Sequence, residues 1–289
     1  MFDTHAFCRS LKLVVAAFLM LSAAGVRAAG QTPAADAANP PSMELEVRDE
    51  LNKGVETYKS ARYDEAIQHF QQAAELAPSS LMAKRYLATA LSQNVVPGLD
   101  TAENLKVAER AIDIFQQVLD KDPHDVNSMK QIAGVEYSIK KLDDAKEWQK
   151  KVLVEDPNDP EAAYTIGVID WTEAHQNALK ALIGAGFTDD GEGNAAAPAG
   201  VMKAIGAQNG ALVEEALEYL KQAVVNRPDY DDAMAYLNLV YRRKADVDWG
   251  NEAARLDDLA KAYEWRTKAM ETRRASEEKK RAGADSARP

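Results

Sequence analysis

The sequence predicts an all-α fold, built from about five helix–turn–helix units stacked side by side. Three observations predict it. The 289 residues are 46% hydrophobic and 28% charged, which is enough apolar surface for a core and too much for a disordered chain. Four amphipathic runs each close on a proline, at Pro78, Pro123, Pro157 and Pro228, and proline cannot continue a helix. Small side chains recur at fixed distances from these prolines. Five positions before each stands Ala73, Val118, Val152 or Ala223, twelve before stands Ala66, Ala111, Ala145 or Ala216, and ten after stands Ala88, Ala133, Gly167 or Asn238. Only Asn238 is off type, and two helices cross closely only where small residues line the crossing.

The chain opens on an address. Arg9 and Lys12 precede an uncharged run from Leu13 to Ala24, followed by the small-residue zone Gly25-Val26-Arg27-Ala28-Ala29. This order is that of a secretory signal, residues 1–28, with cleavage expected after Ala28. The run is short beside the roughly 20 residues of a membrane span. The alternative is an uncleaved segment anchoring the protein in the inner membrane. Cys8 precedes the apolar run, which excludes a lipoprotein attachment site. Cleavage would leave 32 basic and 45 acidic residues, a net of −13, and no cysteine. That composition suits a periplasmic or secreted bacterial protein. Residues 29–43, rich in Ala and Pro and without an apolar period, read as a flexible linker.

The prolines are spaced by 45, 34 and 71 residues, so the middle interval is one bare repeat and the others exceed it by 11 and 37. The first unit holds Gly54, then Tyr63-Asp64-Glu65-Ala66, Phe70, Ala73 and Pro78. The third holds Ala133, Leu142-Asp143-Asp144-Ala145, Trp148, Val152 and Pro157. A 34-residue helix–turn–helix period with small residues at the contacts resembles the tetratricopeptide repeat family, over about residues 47–271. The resemblance implies a right-handed superhelical solenoid over residues 44–274. Its repeats fall at about 47–80, 81–125, 126–159, 160–230 and 231–274. The fifth is degenerate, with Arg274 where the closing proline would stand, as suits a capping repeat.

Repeats two, four and five carry insertions at about 94–104, 173–210 and 244–256. In the first, Pro97-Gly98 turns the chain and Asp100-Thr101-Ala102-Glu103 resembles a capping box. In the second, Thr172 to Ile183 prolongs the preceding helix, while the Gly- and Ala-rich Gly184 to Gly200 is expected to be mobile. Asp159-Pro160-Glu161 places a capping Asp before a first-turn Pro. Residues 275–289, of mixed charge and without an apolar period, are expected to be a disordered tail.

Composition excludes several chemistries. With 46 acidic and 35 basic side chains, the chain lacks the cation excess that phosphate binding needs, so no nucleic-acid partner is expected. Asp189-Asp190-Gly191-Glu192-Gly193-Asn194 has oxygens and glycines but lacks the alternating ligands and closing Glu of a calcium loop. His69, His124 and His175 fall in three different repeats without paired-ligand spacing, so no metal site is expected. Asp170 and Glu173 lie near His175 on the same helix, and no nucleophile elbow or mature cysteine accompanies them. No catalytic residue, cofactor or enzymatic activity is expected.

The family resemblance implies that the first helix of each repeat lines a concave inner face. Helical periodicity from the crossing residues then selects Tyr58, Arg85, Asn127, Lys130, Tyr137, Tyr164, Trp171 and Arg242 as a partner-binding groove. Aromatics and arginine are frequent interface anchors. The expected partner is a protein or peptide, with no membrane span after cleavage. The alternative is a scaffold subunit of a cell-envelope assembly or export complex, contacting through the convex face or residues 172–210. Some family members grip a terminal carboxylate with an Asn/Lys/Arg clamp. Leu51, Val55 and Tyr86 stand where that clamp would need polar groups, so the activity is not expected here.

Overall fold

A computed structural model describes residues 41–286, which form ten α-helices and no strand. The expected signal at 1–28 and the linker up to residue 40 lie outside the described residues. No helix among the described residues is long and apolar enough to cross a membrane. The described residues divide into two compact units, with the division between Ala145 and Lys146.

In the first unit, α1 (Pro41–Lys59) pairs with α2 (Tyr63–Leu76). Gly54 permits the pairing, because a Cβ added there would stand 2.4 Å from Cε1 of Phe70. Phe70 thus presses on bare backbone and is 2% exposed, with Ala66 and Ala73 fully buried beside it. Then come α3 (Leu81–Gln93), whose cap Ser80 accepts from the Ala83 N–H, and α4 (Ala102–Leu119). The turn between them is pinned by Asn104, which accepts from Val96 N–H at 2.8 Å and donates to Val96 O at 3.0 Å and Leu99 O at 2.8 Å. The helix cap there is Thr101, with the amide Asn104 rather than an acid three residues on. The first-helix counterpart α5 (Val126–Ser138) touches both α4 and α3. Ala88, Ala111, Ala133 and Ala145 are fully buried, as the proline-based spacing predicts.

Helix α6 (Leu142–Glu155) contributes its later residues to the second unit, with α7 (Pro160–Gly184), α8 (Ala199–Asn226), α9 (Asp231–Val247) and α10 (Glu252–Ser286). Asp159 caps α7, accepting from Glu161 and Ala162 N–H, with Pro160 in the first turn. Gly167 repeats the role of Gly54: its missing Cβ would lie 2.5 Å from Leu220 Cγ and 3.2 Å from the Ala216 carbonyl oxygen. Both α7 and α8 run past this crossing and enclose a second small core of Ala178, Leu182, Ala197, Met202 and Ile205. Asn209 stitches the extension by donating to Ala174 O at 2.7 Å and accepting from Asn177 at 3.1 Å.

Two expectations are corrected. The segment between α7 and α8 is not mobile: Gly193, Asn194 and Ala197 are buried and its side chains are bonded to α9 and α10. The sequence composition conceals this because the anchoring partners lie about fifty residues away. The residues expected to form a tail are helical from 275 to Ser286, as the continuation of α10. No proline or glycine interrupts α10 before Gly283, and pairs such as Arg274–Glu278 at 2.9 Å support an exposed helix.

Candidate partner-binding faces

In the first unit the first helices α3 and α5 are neighbours. Arg85 on α3 reaches the start of α5, with its Nη1 3.3 Å from Asp125 Oδ2. Asp125 is 5% exposed and also accepts from Ser128 Oγ at 2.8 Å, so the acid is held while Arg85 keeps 40% of its side chain open. Asn127 is exposed and Lys130 half-buried, three residues apart on one side of α5. Tyr137 follows two turns on, half-buried. The structure therefore brings Arg85, Asn127, Lys130 and Tyr137 to one pair of helices. Tyr58 is not part of that set. Its ring packs on Tyr63 at 5.2 Å and its hydroxyl is buried, which raises its pKa through loss of solvation.

The same unit holds a feature the sequence did not flag. A cavity of about 500 Å³ opens between α1 and α2, walled by Glu46, Asp49, Glu50, Glu75 and Lys53. Glu50 bonds Lys53 at 2.6 Å and His69 at 2.7 Å, and these two bonds lower its pKa. His69 is thereby hydrogen-bonded to Glu50 rather than a free surface residue. The spacing of 19 residues between it and Glu50 has no local signature.

In the second unit, α7 and α9 are the neighbouring first helices. Tyr164 does not face a partner. It is 5% exposed, with Tyr230 at 4.9 Å and Tyr236 at 5.6 Å, inside the main core of this unit. Helical periodicity gives its direction but not the α9 side chains that cover it. Trp171 is half-buried, stacked on His175 at 5.0 Å and meeting the edge of Tyr236 at 5.3 Å. Burial, and then the nearby Arg243 charge, lower the pKa of His175. Asp170 turns away from His175. It is fully buried and meets Lys146 at 2.5 Å, which also holds Glu215 at 2.6 Å. Burial raises Asp170 to about 6 despite that lysine.

Arg242 is occupied by the chain's own insertion. Its Nη1 donates to Gly191 O at 2.7 Å and to Glu192 Oε1 at 2.8 Å, and its Nε to Asn238 at 3.2 Å. Beneath it, Arg243 Nη2 donates to Asp189 at 2.9 Å, and Asn194 Nδ2 donates to Asp246 at 2.7 Å. Asp246 is fully buried and raised to about 6 by that burial, against the opposing pull of Arg243. Asp189 is half-buried, but the charge and hydrogen bonds of Arg243 and the bonds from Asn194 and Gly191 outweigh that burial and lower it. The guanidinium of Arg243 thus fills the space between Asp189 and Asp246. Among the described residues no cluster of three or more His, Cys, Asp or Glu is placed to hold a metal ion.

Residues 51–94, spanning the later part of α1 and all of α2 and α3, match the model of the tetratricopeptide repeat family. A comparison with the curated proteins found no match. Among solved structures, the chain resembles a double mutant of MamA RS-1 (18% identity, TM-score 0.54), covering 80% of this chain and 96% of that one. It resembles MamA from residue 41 to its end, from Desulfovibrio magneticus RS-1, at 18% identity and TM-score 0.53, with coverages of 80% and 96%. A crystal structure of MamA matches at 12% identity and TM-score 0.50, with coverages of 78% and 96%. At these identities the likeness concerns the fold. This chain carries a tetratricopeptide repeat at residues 51–94 and has the all-α, paired-helix fold of tetratricopeptide-type proteins.

Proposed function

We propose that this protein is a non-enzymatic interaction module that holds a peptide segment of a protein partner along the first helices of its first unit. The observation that carries the reading is the row of donors on α3 and α5. In an acidic chain, Arg85 stays 40% open, Asn127 is exposed and Lys130 lies one turn on. Donors of this kind bond peptide carbonyls and carboxylates, and Tyr137 adds an amphipathic ring beside them. The paired-helix fold supports the reading, since tetratricopeptide-type folds present helices as protein-binding surfaces. We place the protein outside the cytoplasm, after cleavage at Ala28, on the order of charges and apolar residues in its first 28 positions.

A second reading has one observation in its favour. The insertion is ordered and leaves Ile183 67% and Phe187 36% exposed near its tip, an apolar pair that a scaffold contact would cover. One experiment separates the two. The purified protein is cross-linked in envelope extract, as wild type, as R85A/N127A/K130A and as I183S/F187S, with helicity checked by circular dichroism. The triple variant is expected to lose the partner while the insertion variant keeps it. The reverse pattern would assign the contact to the insertion and reject the first-helix face.

A further inference from the structure

The segment Phe187–Asn194, with Asp189, Asp190 and Glu192 and no basic residue, lies against three arginines from two helices. Arg242 and Arg243 come from α9 and Arg255 from α10. Two of the contacts go to main-chain oxygens: Arg242 to Gly191 O at 2.7 Å and Arg255 to Glu192 O at 2.6 Å. Others go to carboxylates: Glu192 takes Arg242 at 2.8 Å and Tyr263 OH at 3.2 Å, and Asp189 takes Arg243 at 2.9 Å. Main-chain carbonyls combined with acidic side chains are what a bound acidic peptide would offer, and guanidinium is suited to both. The segment also approaches closely enough to require glycine. At Gly193 (φ +86) a Cβ would meet Arg255 Cγ and Cδ at 3.0 Å and Ala245 Cβ at 3.2 Å. The contacts form two layers. An inner layer of Asn194, Asp246 and Arg243 is buried, while the outer one is more open, with Glu192 44% exposed.

We propose that the arginine face of α9 and α10 is a second peptide-binding surface, and that Phe187–Asn194 is a built-in strap occupying it until an acidic, glycine-containing segment of a partner protein takes the place of its outer layer. The proposal rests on the interaction-module reading but uses none of the first-unit residues. Charge complementarity and the shape requirement at Gly193 define the occupant: two or three carboxylates spaced by glycine. The strap competes as part of the same chain, at an effective concentration that outside peptides must overcome. Its outer contacts are exposed enough for salt to weaken them.

The test uses the full mature chain in two forms, intact and with residues 187–194 replaced by eight Gly and Ser residues. The probe is a fluorescent peptide of the strap's own sequence, FTDDGEGN, with a control in which its Asp and Glu become Asn and Gln. Fluorescence anisotropy is expected to show about tenfold or more tighter binding of the acidic probe to the strap-replaced form, because the intramolecular competitor is gone. The neutral control should not bind, and adding Arg242→Ala should abolish binding. Equal probe binding by intact and strap-replaced proteins of matching helicity would overturn the proposal. Should the replaced form not fold, Glu192→Gln decides, since it keeps the Asn194–Asp246 anchor. It should bind the probe more tightly than the intact chain, and no gain would overturn the proposal. A dimer of the intact protein that vanishes on strap replacement would assign the face to a second copy, also overturning it. Loss of partner capture by R85A/N127A/K130A bears only on the first-unit face, so the two readings fail separately.

Discussion

Single atoms decide where these helices meet. Gly167 lies where a Cβ would sit 2.5 Å from Leu220, a fully buried side chain that cannot swing aside. Gly167→Ala is therefore expected to cost about 1–3 kcal/mol through overpacking. Gly134, one residue beyond the crossing Ala133, has nothing within 4 Å of an added Cβ. There the same change replaces a poor helix former with the best one and should stabilise by about 0.5–1 kcal/mol. Thermal melts of the two variants check the opposite signs; a stabilised Gly167→Ala would mean the helices do not close on that residue. This contrast was legible in the sequence, because counting from each proline selects Ala133 and Gly167 and passes over Gly134. The fate of Tyr164 was not legible. Its period points it toward the inner side of α7, but Tyr230 and Tyr236, about seventy residues on, cover it.

At the scale of elements, helices and their prolongation past the crossings followed from local pattern, while the order of the 185–198 segment did not. Glycine-rich composition reports the freedom of an isolated chain, and the arginines that remove that freedom arrive from α9 and α10. Holding such elements together also buries acids. Burial raises Asp170 and Asp246 to about 6, and burial together with a hydrogen bond that its protonated form gives to Asp248 raises Asp258. For a carboxyl raised in the folded state, the associated stability is full below the ordinary carboxylate range and is lost as pH rises through the folded value. Glu50, Asp189 and Glu215 are lowered, so their contribution is present above that range and lost on acidification below it. The lowered imidazole of His175 acts the other way between these values, but the three raised carboxyls outweigh it, so the melting midpoint should be higher at pH 5.5 than at pH 8, then fall below about pH 4 as the lowered carboxylates protonate. A midpoint that rises steadily from pH 5.5 to 8 would show that Asp170 and Asp246 are not held in this way.

Across the whole molecule, acidity and binding are distributed unevenly. The chain carries eleven more negative than positive charges, and four acids wall the cavity between α1 and α2. Against that background the donors gathered on α3 and α5 are the informative ones, and they include Arg85, half-buried Lys130 and exposed Asn127. Of the sequence-selected residues, Arg85, Asn127, Lys130 and Tyr137 share one pair of helices, while Tyr58, Tyr164 and Trp171 are engaged in packing and Arg242 in holding the strap. A single-sequence period could name the face but not which of its members neighbouring elements would consume. The direct test of partner binding along α3 and α5 is site-specific photocross-linking in intact cells, with p-benzoylphenylalanine placed at Asn127 on α5 or at the exposed Asp113 on α4. A discrete partner adduct is expected from position 127 and none from 113. Adducts from 113 with none from 127 would contradict binding along these helices.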